Sequence, residues 1–361
     1  MQRYTVSELS DRLLVRGRSF RDPREDVLYF NWSCSTVELI FRGTHLNVSL
    51  RALCGQEFEG PPGDPDAGTR PTWPWLAVFL DDMDMPIRKF EIASPNETWL
   101  LYQSRQTETH RIRLVKITEN YKSFLGITAF TMEGEILPAE KKTARTLEVI
   151  GDSITCGYGN LVKDPARHFY SQDEDGWQAY GAIAARKLGL DWNCISISGI
   201  TAVKHQGWMM PYAMEELYAF TDRIGQEKLG IEPEKWDFAA HPKDYIVLNL
   251  GTNDCYGIQF SPEDELPRFP GAYRAFLTEI RRLNGPDAHI ICALGSMNYF
   301  LYAEIVEAVA QYRRETGDER VHLLRFRPMH PFDGVGADGH PSLDTHGKMG
   351  AELAALLESL D

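Results

Sequence analysis

The sequence has no run of about 18 consecutive apolar residues, so no membrane-spanning helix is expected. Its first twenty residues, MQRYTVSELSDRLLVRGRSF, lack the uninterrupted apolar segment of a signal peptide, and the expectation is a cytoplasmic protein. Positive charge is scarce. With 38 Lys and Arg against 52 Asp and Glu, the net charge is −14, which repels nucleic acid and anionic lipid surfaces and leaves a neutral molecule as the natural ligand. The six cysteines, Cys34, Cys54, Cys156, Cys194, Cys255 and Cys292, form no CxxC pair, so a Cys-rich metal site has no support. Cys194 and Cys292 lie in apolar runs and read as small buried hydrophobes. No GxGxxG occurs, and Gly157-Tyr158-Gly159 is not in a dinucleotide-binding context. His205, His241 and His330 lack ligand spacing with carboxylates or thiolates, so neither metal nor cofactor is expected. Internal repeats and low-complexity tracts are absent as well.

What is present divides the chain in two, at residues 1–140 and 141–361. The first part reads as short strands without a convincing long helix. Val37–Leu50 alternates around a turn signal at Arg42-Gly43-Thr44; Trp75–Asp82, Thr109–Thr118 and Phe124–Leu137 follow, the last with a turn near Glu133-Gly134. This pattern predicts a β-sandwich or jelly roll. Cys54–Pro74, rich in Gly, Pro and Asp, reads as a loop of about 20 residues: a solvated insertion, a lid or a subunit contact.

In the second part strands alternate with helices. Thr146–Ile150, Asn193–Ser198, Asp244–Leu250, His289–Gly295 and Val321–Phe326 read as strands; Gly176–Leu190, Pro270–Gly285, Tyr302–Gly317 and His346–Leu360 carry helical periodicity. Alternation of this kind predicts a parallel sheet covered by helices on both faces, and in such sheets ligands bind outside the carboxyl ends of the strands. Those ends hold Gly151-Asp152-Ser153, Gly199-Ile200-Thr201 and Gly251-Thr252-Asn253-Asp254, and Ala337-Asp338-Gly339-His340-Pro341-Ser342 precedes the last helix. A hydroxyl, backbone donors, an amide, an imidazole and a carboxylate therefore converge on one sheet edge.

These four turns resemble the four blocks of the SGNH, or GDSL, hydrolase superfamily, which has a flavodoxin-like α/β fold. The single residue between Asp338 and His340, the stretch GDSITCGYG and a preceding β-sandwich resemble carbohydrate esterase family 2. The resemblance spans nearly the whole chain. It implies an acetyl esterase that acts on plant polysaccharides such as xylan and mannan, with an N-terminal domain similar to a carbohydrate-binding module.

Under that resemblance Ser153 is the nucleophile and His340 the base that takes its proton. Asp338, or a backbone carbonyl as in some family members, orients the imidazole. His346, with Asp344 near it, is the rival base. The backbone N–H groups of Ser153 and Gly199 and the Asn253 side chain form the expected oxyanion hole. Trp208, Trp177 and Tyr256 are candidate aromatic platforms for sugar. The expected partner is an acetylated oligosaccharide, with no nucleic acid and no membrane. Two other readings remain at this point: a lipid or acyl-thioester hydrolase of the same superfamily, and a sugar-binding protein with an inactive hydrolase domain.

Overall fold

The computed structural model describes residues 1–60, 66–139 and 144–360. Two compact units are present. The first comprises residues 1–143 together with Tyr170–Gln172 and Asp222–Pro233; the second comprises the remainder.

The first unit is a curled nine-stranded antiparallel sheet, the β-sandwich domain. Its backbone is three long neighbouring strands, Thr36–Leu53, Asn96–Lys116 and Phe124–Leu137. Leu39, Phe41, Val48, Leu50, Val78, Ile112, Leu114, Ile127 and Phe130 fill the core from alternate positions of these strands and of Trp75–Leu80. The strands run straight through both expected turns. Gly43 lies opposite Gly134 in the ladder, and a Cβ on Gly43 would stand 2.3 Å from the Glu133 carbonyl oxygen. The two glycines allow a close backbone approach inside a sheet, which a single sequence cannot tell from a turn.

The expected loop at Cys54–Pro74 also differs. Gly55–Phe58 and Thr69–Thr72 form a two-stranded antiparallel ribbon; residues 61–65 lie outside the described part. Buried Glu57 accepts hydrogen bonds from the Ser171 amide at 2.9 Å and hydroxyl at 2.7 Å, and pairs with Arg70 at 2.7 Å. The Arg70 guanidinium lies 3.8 Å over the Tyr170 ring. Alternation too short to see and a Gly/Pro-rich composition hid these strands.

The second unit holds a five-stranded parallel sheet. Its strands are β1 (Thr146–Gly151), β2 (Asp191–Ser196), β3 (Tyr245–Asn249), β4 (His289–Leu294) and β5 (Val321–Arg325). Their order is β2-β1-β3-β4-β5, the flavodoxin-like arrangement, with its switch point between β1 and β3. β1, β3 and β4 are buried along nearly their whole length because helices cover both faces. Six helices are used below: α1 (Ser153–Cys156), α2 (Tyr180–Leu188), α3 (Asp254–Ile258), α4 (Pro262–Asn284), α5 (Tyr302–Thr316) and α6 (Leu343–Ser359). α4 begins eight residues before the helix read from periodicity, since Pro262 and the acidic Glu263, Asp264 and Glu265 make a favourable first turn ahead of the amphipathic part.

Candidate active site

β1 ends at Gly151, and the chain turns at once into α1. Asp152 caps that helix, its carboxylate accepting from the Ile154 amide at 3.0 Å. Ser153 is therefore the first helical residue, at the carboxyl end of β1 and next to the switch point. The turn excludes bulk for definite reasons. A Cβ at Gly151 would stand 1.9 Å from the Thr155 hydroxyl. Gly157 and Gly159 have φ of +82° and +63°, and a Cβ at Gly159 would stand 2.7 Å from the Ala337 side chain. The Gly159 carbonyl accepts from the Ala337 amide at 3.1 Å, which seats the segment carrying Asp338 and His340 against the segment following Ser153. Buried Asn160 locks the loop from the other side. Its amide donates to the Asp175 carbonyl at 2.9 Å and its carbonyl accepts from the Asp175 amide at 3.1 Å.

His340 Nε2 lies 2.9 Å from Ser153 Oγ. Ser153 is 6% exposed, so the hydroxyl is shielded from bulk water without being sealed. The imidazole packs against Tyr158 at a tilt of 35°, with ring centroids 4.2 Å apart, and Tyr158 stacks in turn on Phe169 at 3.6 Å.

Asp338 adopts a left-handed backbone, φ +50°, uncommon for a residue with a side chain. Its carboxylate accepts from the Tyr158 hydroxyl at 2.9 Å and the Phe169 amide at 3.1 Å, and lies 3.1 Å from His168 Nδ1. The structure thus surrounds Asp338 with a second histidine and a tyrosine. Neither residue was singled out from sequence, because no motif marks them.

His346 is not placed to act as a base. It lies fully buried in α6, where its Nδ1 accepts from the Tyr180 amide at 3.3 Å. Burial, with a smaller contribution from nearby His340, lowers its pKa to about 3, which keeps it neutral. Asp344 instead meets Lys163 at 2.7 Å on the surface.

The other blocks arrive from β2 and β3. Gly199 has φ +79°, and an added Cβ would meet nothing closer than Met210 at 3.8 Å. Conformation, not a close neighbour, is what requires glycine there. The Gly199 carbonyl accepts from Trp208 Nε1 at 2.9 Å. Asn253 stands at the N-cap of α3 without a side-chain capping bond; its amide donates instead to the Ile200 carbonyl at 2.9 Å. Among the described residues, the backbone N–H groups of Ser153 and Gly199 donate to no acceptor. Burial pushes the Asp152 carboxyl up to about 7, the Asp254 carboxylate adding to the effect.

Of the three aromatic candidates, Trp177 is a correction. It is 6% exposed, with the Arg186 guanidinium 4.6 Å over its ring and Trp192 at 6.1 Å, so its indole offers no open face for a sugar. Trp208 is half-buried, its N–H committed to Gly199. Tyr256, in α3 just after Asn253, is 48% exposed. No group of His, Cys, Asp or Glu able to hold a metal ion occurs among the described residues, and no described helix is long and apolar enough to cross a membrane.

Residues 149–348 match the model of the GDSL-like Lipase/Acylhydrolase family, and residues 16–139 match that of the Carbohydrate esterase 2 N-terminal region. The chain is 30% identical, over 98% of its length, to the Cellulase/esterase CelE of Acetivibrio thermocellus, of which it spans 40%. It is 25% identical, over 99% of its length, to an Acetylxylan esterase / glucomannan deacetylase of Cellvibrio japonicus, covering 91% of that protein. Among solved structures it resembles a family two carbohydrate esterase from Clostridium thermocellum in complex with cellohexaose, at 29% identity and a TM-score of 0.80, covering 96% of this chain and 98% of that one. With both halves matched in order, the chain belongs to carbohydrate esterase family 2, within the GDSL-like lipase/acylhydrolase family.

Proposed function

We propose that this chain is a serine esterase that removes O-acetyl groups from plant-derived oligosaccharides of the xylan or mannan type. The observation that carries the reading is the 2.9 Å contact between His340 Nε2 and Ser153 Oγ at the carboxyl edge of a parallel sheet. The relatives' names supply the substrate class.

The chemistry follows from the groups present. Ser153 Oγ attacks the acetyl carbonyl carbon as His340 Nε2 takes its proton. Negative charge then grows on the carbonyl oxygen. The Ser153 and Gly199 N–H groups and the second N–H of the Asn253 amide are the donors assigned to it. The C–O bond to the sugar breaks as His340 returns the proton to the departing sugar oxygen. Water, deprotonated by the same imidazole, attacks the acetyl-enzyme, and acetate leaves with Ser153 regenerated. Asp338 is assigned to steady the imidazolium, within a frame made by Tyr158 and His168. Trp208 and Tyr256 are the aromatic groups assigned to sugar contact.

We place the activity in the cytoplasm, on imported oligosaccharides. Cell fractionation with an antibody to the chain tests this placement. The function is tested by mass spectrometry of acetylated xylo- and manno-oligosaccharides before and after incubation. Loss of acetyl groups with wild type and none with Ser153→Ala is expected. Unchanged oligosaccharides, together with a preference for octanoyl over acetyl esters, would replace the reading with a lipid or thioester hydrolase. Calorimetric sugar binding without ester turnover would replace it with an inactive binding protein.

A further inference from the structure

Directly after Asn253 comes Asp254, whose side chain is fully buried. Its two oxygens accept from the amides of Ala202 at 2.9 Å and Val203 at 3.3 Å, on the turn that begins at Gly199. Asn253 adds a third link through the Ile200 carbonyl. Three hydrogen bonds thus tie the turn carrying one assigned oxyanion donor to the turn carrying another.

The carboxylate that makes two of those bonds faces His205. Nε2 of that ring is 3.0 Å from Asp254 Oδ1, and Nδ1 is 2.9 Å from Glu265 Oε2. Both ring nitrogens face carboxylate oxygens, so both contacts are hydrogen bonds only if the ring carries two protons. Burial alone would lower the His205 pKa, but the Asp254 and Glu265 carboxylates outweigh it and hold it above the usual histidine value. Arg268 closes the row, donating to Glu265 at 2.6 Å and to the Lys204 carbonyl. The packing is specific to this ring. A Cβ at Gly257 would stand 2.9 Å from it, and the Phe269 ring lies nearly parallel to it with centroids 6.4 Å apart.

We propose that His205 is a positioning residue for the oxyanion hole: held as a cation between Asp254 and Glu265, it offsets the buried Asp254 carboxylate, and Asp254 then fixes the Gly199 turn against Asn253. Without that cation the fully buried carboxylate loses the partner that compensates its burial, and its surroundings must rearrange. The Ala202 and Val203 amides then lose their fixed acceptor, and the donor geometry relaxes. This inference rests on the assignment of Gly199 and Asn253 as oxyanion donors.

A double-mutant cycle on the full chain tests it, with kcat and KM measured separately on a small activated acetyl ester and melting temperature recorded for each variant. Asn253→Ala should lower kcat by on the order of 100-fold. His205→Asn should lower kcat by roughly tenfold while KM stays within about twofold, the signature of a transition-state interaction. The double variant should lose clearly less than the product of the two single losses, because Asp254 and Asn253 couple the two donor-bearing turns. Multiplicative losses, or wild-type kcat in a folded His205→Asn protein, would overturn the proposal. If Asn253→Ala keeps wild-type kcat, the oxyanion assignment itself falls and this inference falls with it. Should His205→Asn fail to fold, Glu265→Gln decides: a few-fold loss of kcat supports the proposal, and an unchanged kcat refutes it.

Discussion

Gly159→Ala is a sharp test of why the turn after Ser153 is built from small residues, because the fold supplies its own control. Gly159 and Gly189 share a φ of +63°. Nothing lies within 4 Å of a Cβ at Gly189, whereas one at Gly159 stands 2.7 Å from the Ala337 Cβ and 3.0 Å from the Ala337 nitrogen. Left-handed backbone costs a residue with a side chain roughly 1–2 kcal/mol. Forcing a methyl group into a packed site adds about 1–3 kcal/mol. Gly189→Ala should therefore cost about 1–2 kcal/mol and Gly159→Ala about 2–5 kcal/mol. In a unit of this size each kcal/mol moves the melting temperature by roughly 2–4 °C. Activity should separate the two further. Ala337 lies three residues before His340 and bonds the Gly159 carbonyl at 3.1 Å, so displacing it moves the imidazole off its 2.9 Å contact with Ser153. Calorimetry and turnover of an activated acetyl ester read both effects. Gly189→Ala should keep its kcat, and Gly159→Ala should lose roughly 100-fold, as a misplacement near 1 Å can cost. Equal melting temperatures with equal activity would refute the reasoning.

Two buried groups set opposing pH dependences. Burial lowers His346 from 6.5 to about 3, so it contributes stability above pH 6.5 that is lost as pH falls through that range. Asp152 is raised from 3.8 to about 7, so it removes stability as pH rises through its own range. Between about pH 4 and 6.5 the two slopes, each about 1.4 kcal/mol per pH unit, oppose one another. Denaturant titrations should show stability falling with pH in this window for His346→Gln and rising for Asp152→Asn; no change of slope in either variant would remove the explanation. Trp177→Ala should cost about 3–5 kcal/mol of stability, as for a core tryptophan, and leave the KM of the folded enzyme for acetylated oligosaccharide unchanged. Tyr256→Ala should leave the melting temperature within about 2 °C and raise that KM several-fold, given that exposed substitutions usually change stability by no more than about 0.5 kcal/mol; the opposite pattern would return Trp177 to the sugar site.

Much of the hydrolase fold could be read from the chain because its signals are local. Continuous apolar strands such as β3 and amphipathic helices such as α6 declare themselves within one window. Glycines in the first unit were read less well. Gly43 and Gly134 mark a close approach between strands remote in sequence, and nothing near either one says so. The site divides in the same way. Ser153, Gly199, Asn253 and His340 fall at predicted strand and helix ends, where chemistry in such sheets is concentrated. Tyr158, His168 and the Asp254–His205–Glu265 row were missed or set aside, because their meaning lies in contacts over 49 to 180 residues of chain. Trp177 shows the converse. Aromatic identity suggested a platform, but burial, decided by packing against Arg186 and Trp192, made it core.

The account stands on a Ser153 hydroxyl made nucleophilic by His340. Incubation with a fluorophosphonate, followed by intact-mass measurement and peptide mapping, tests that most directly. The account predicts one adduct per chain, mapped to Ser153, absent in Ser153→Ala and formed at least 100-fold more slowly in His340→Ala. Labelling of Ser153 at the same rate with and without the imidazole, or an adduct at another residue, would contradict it.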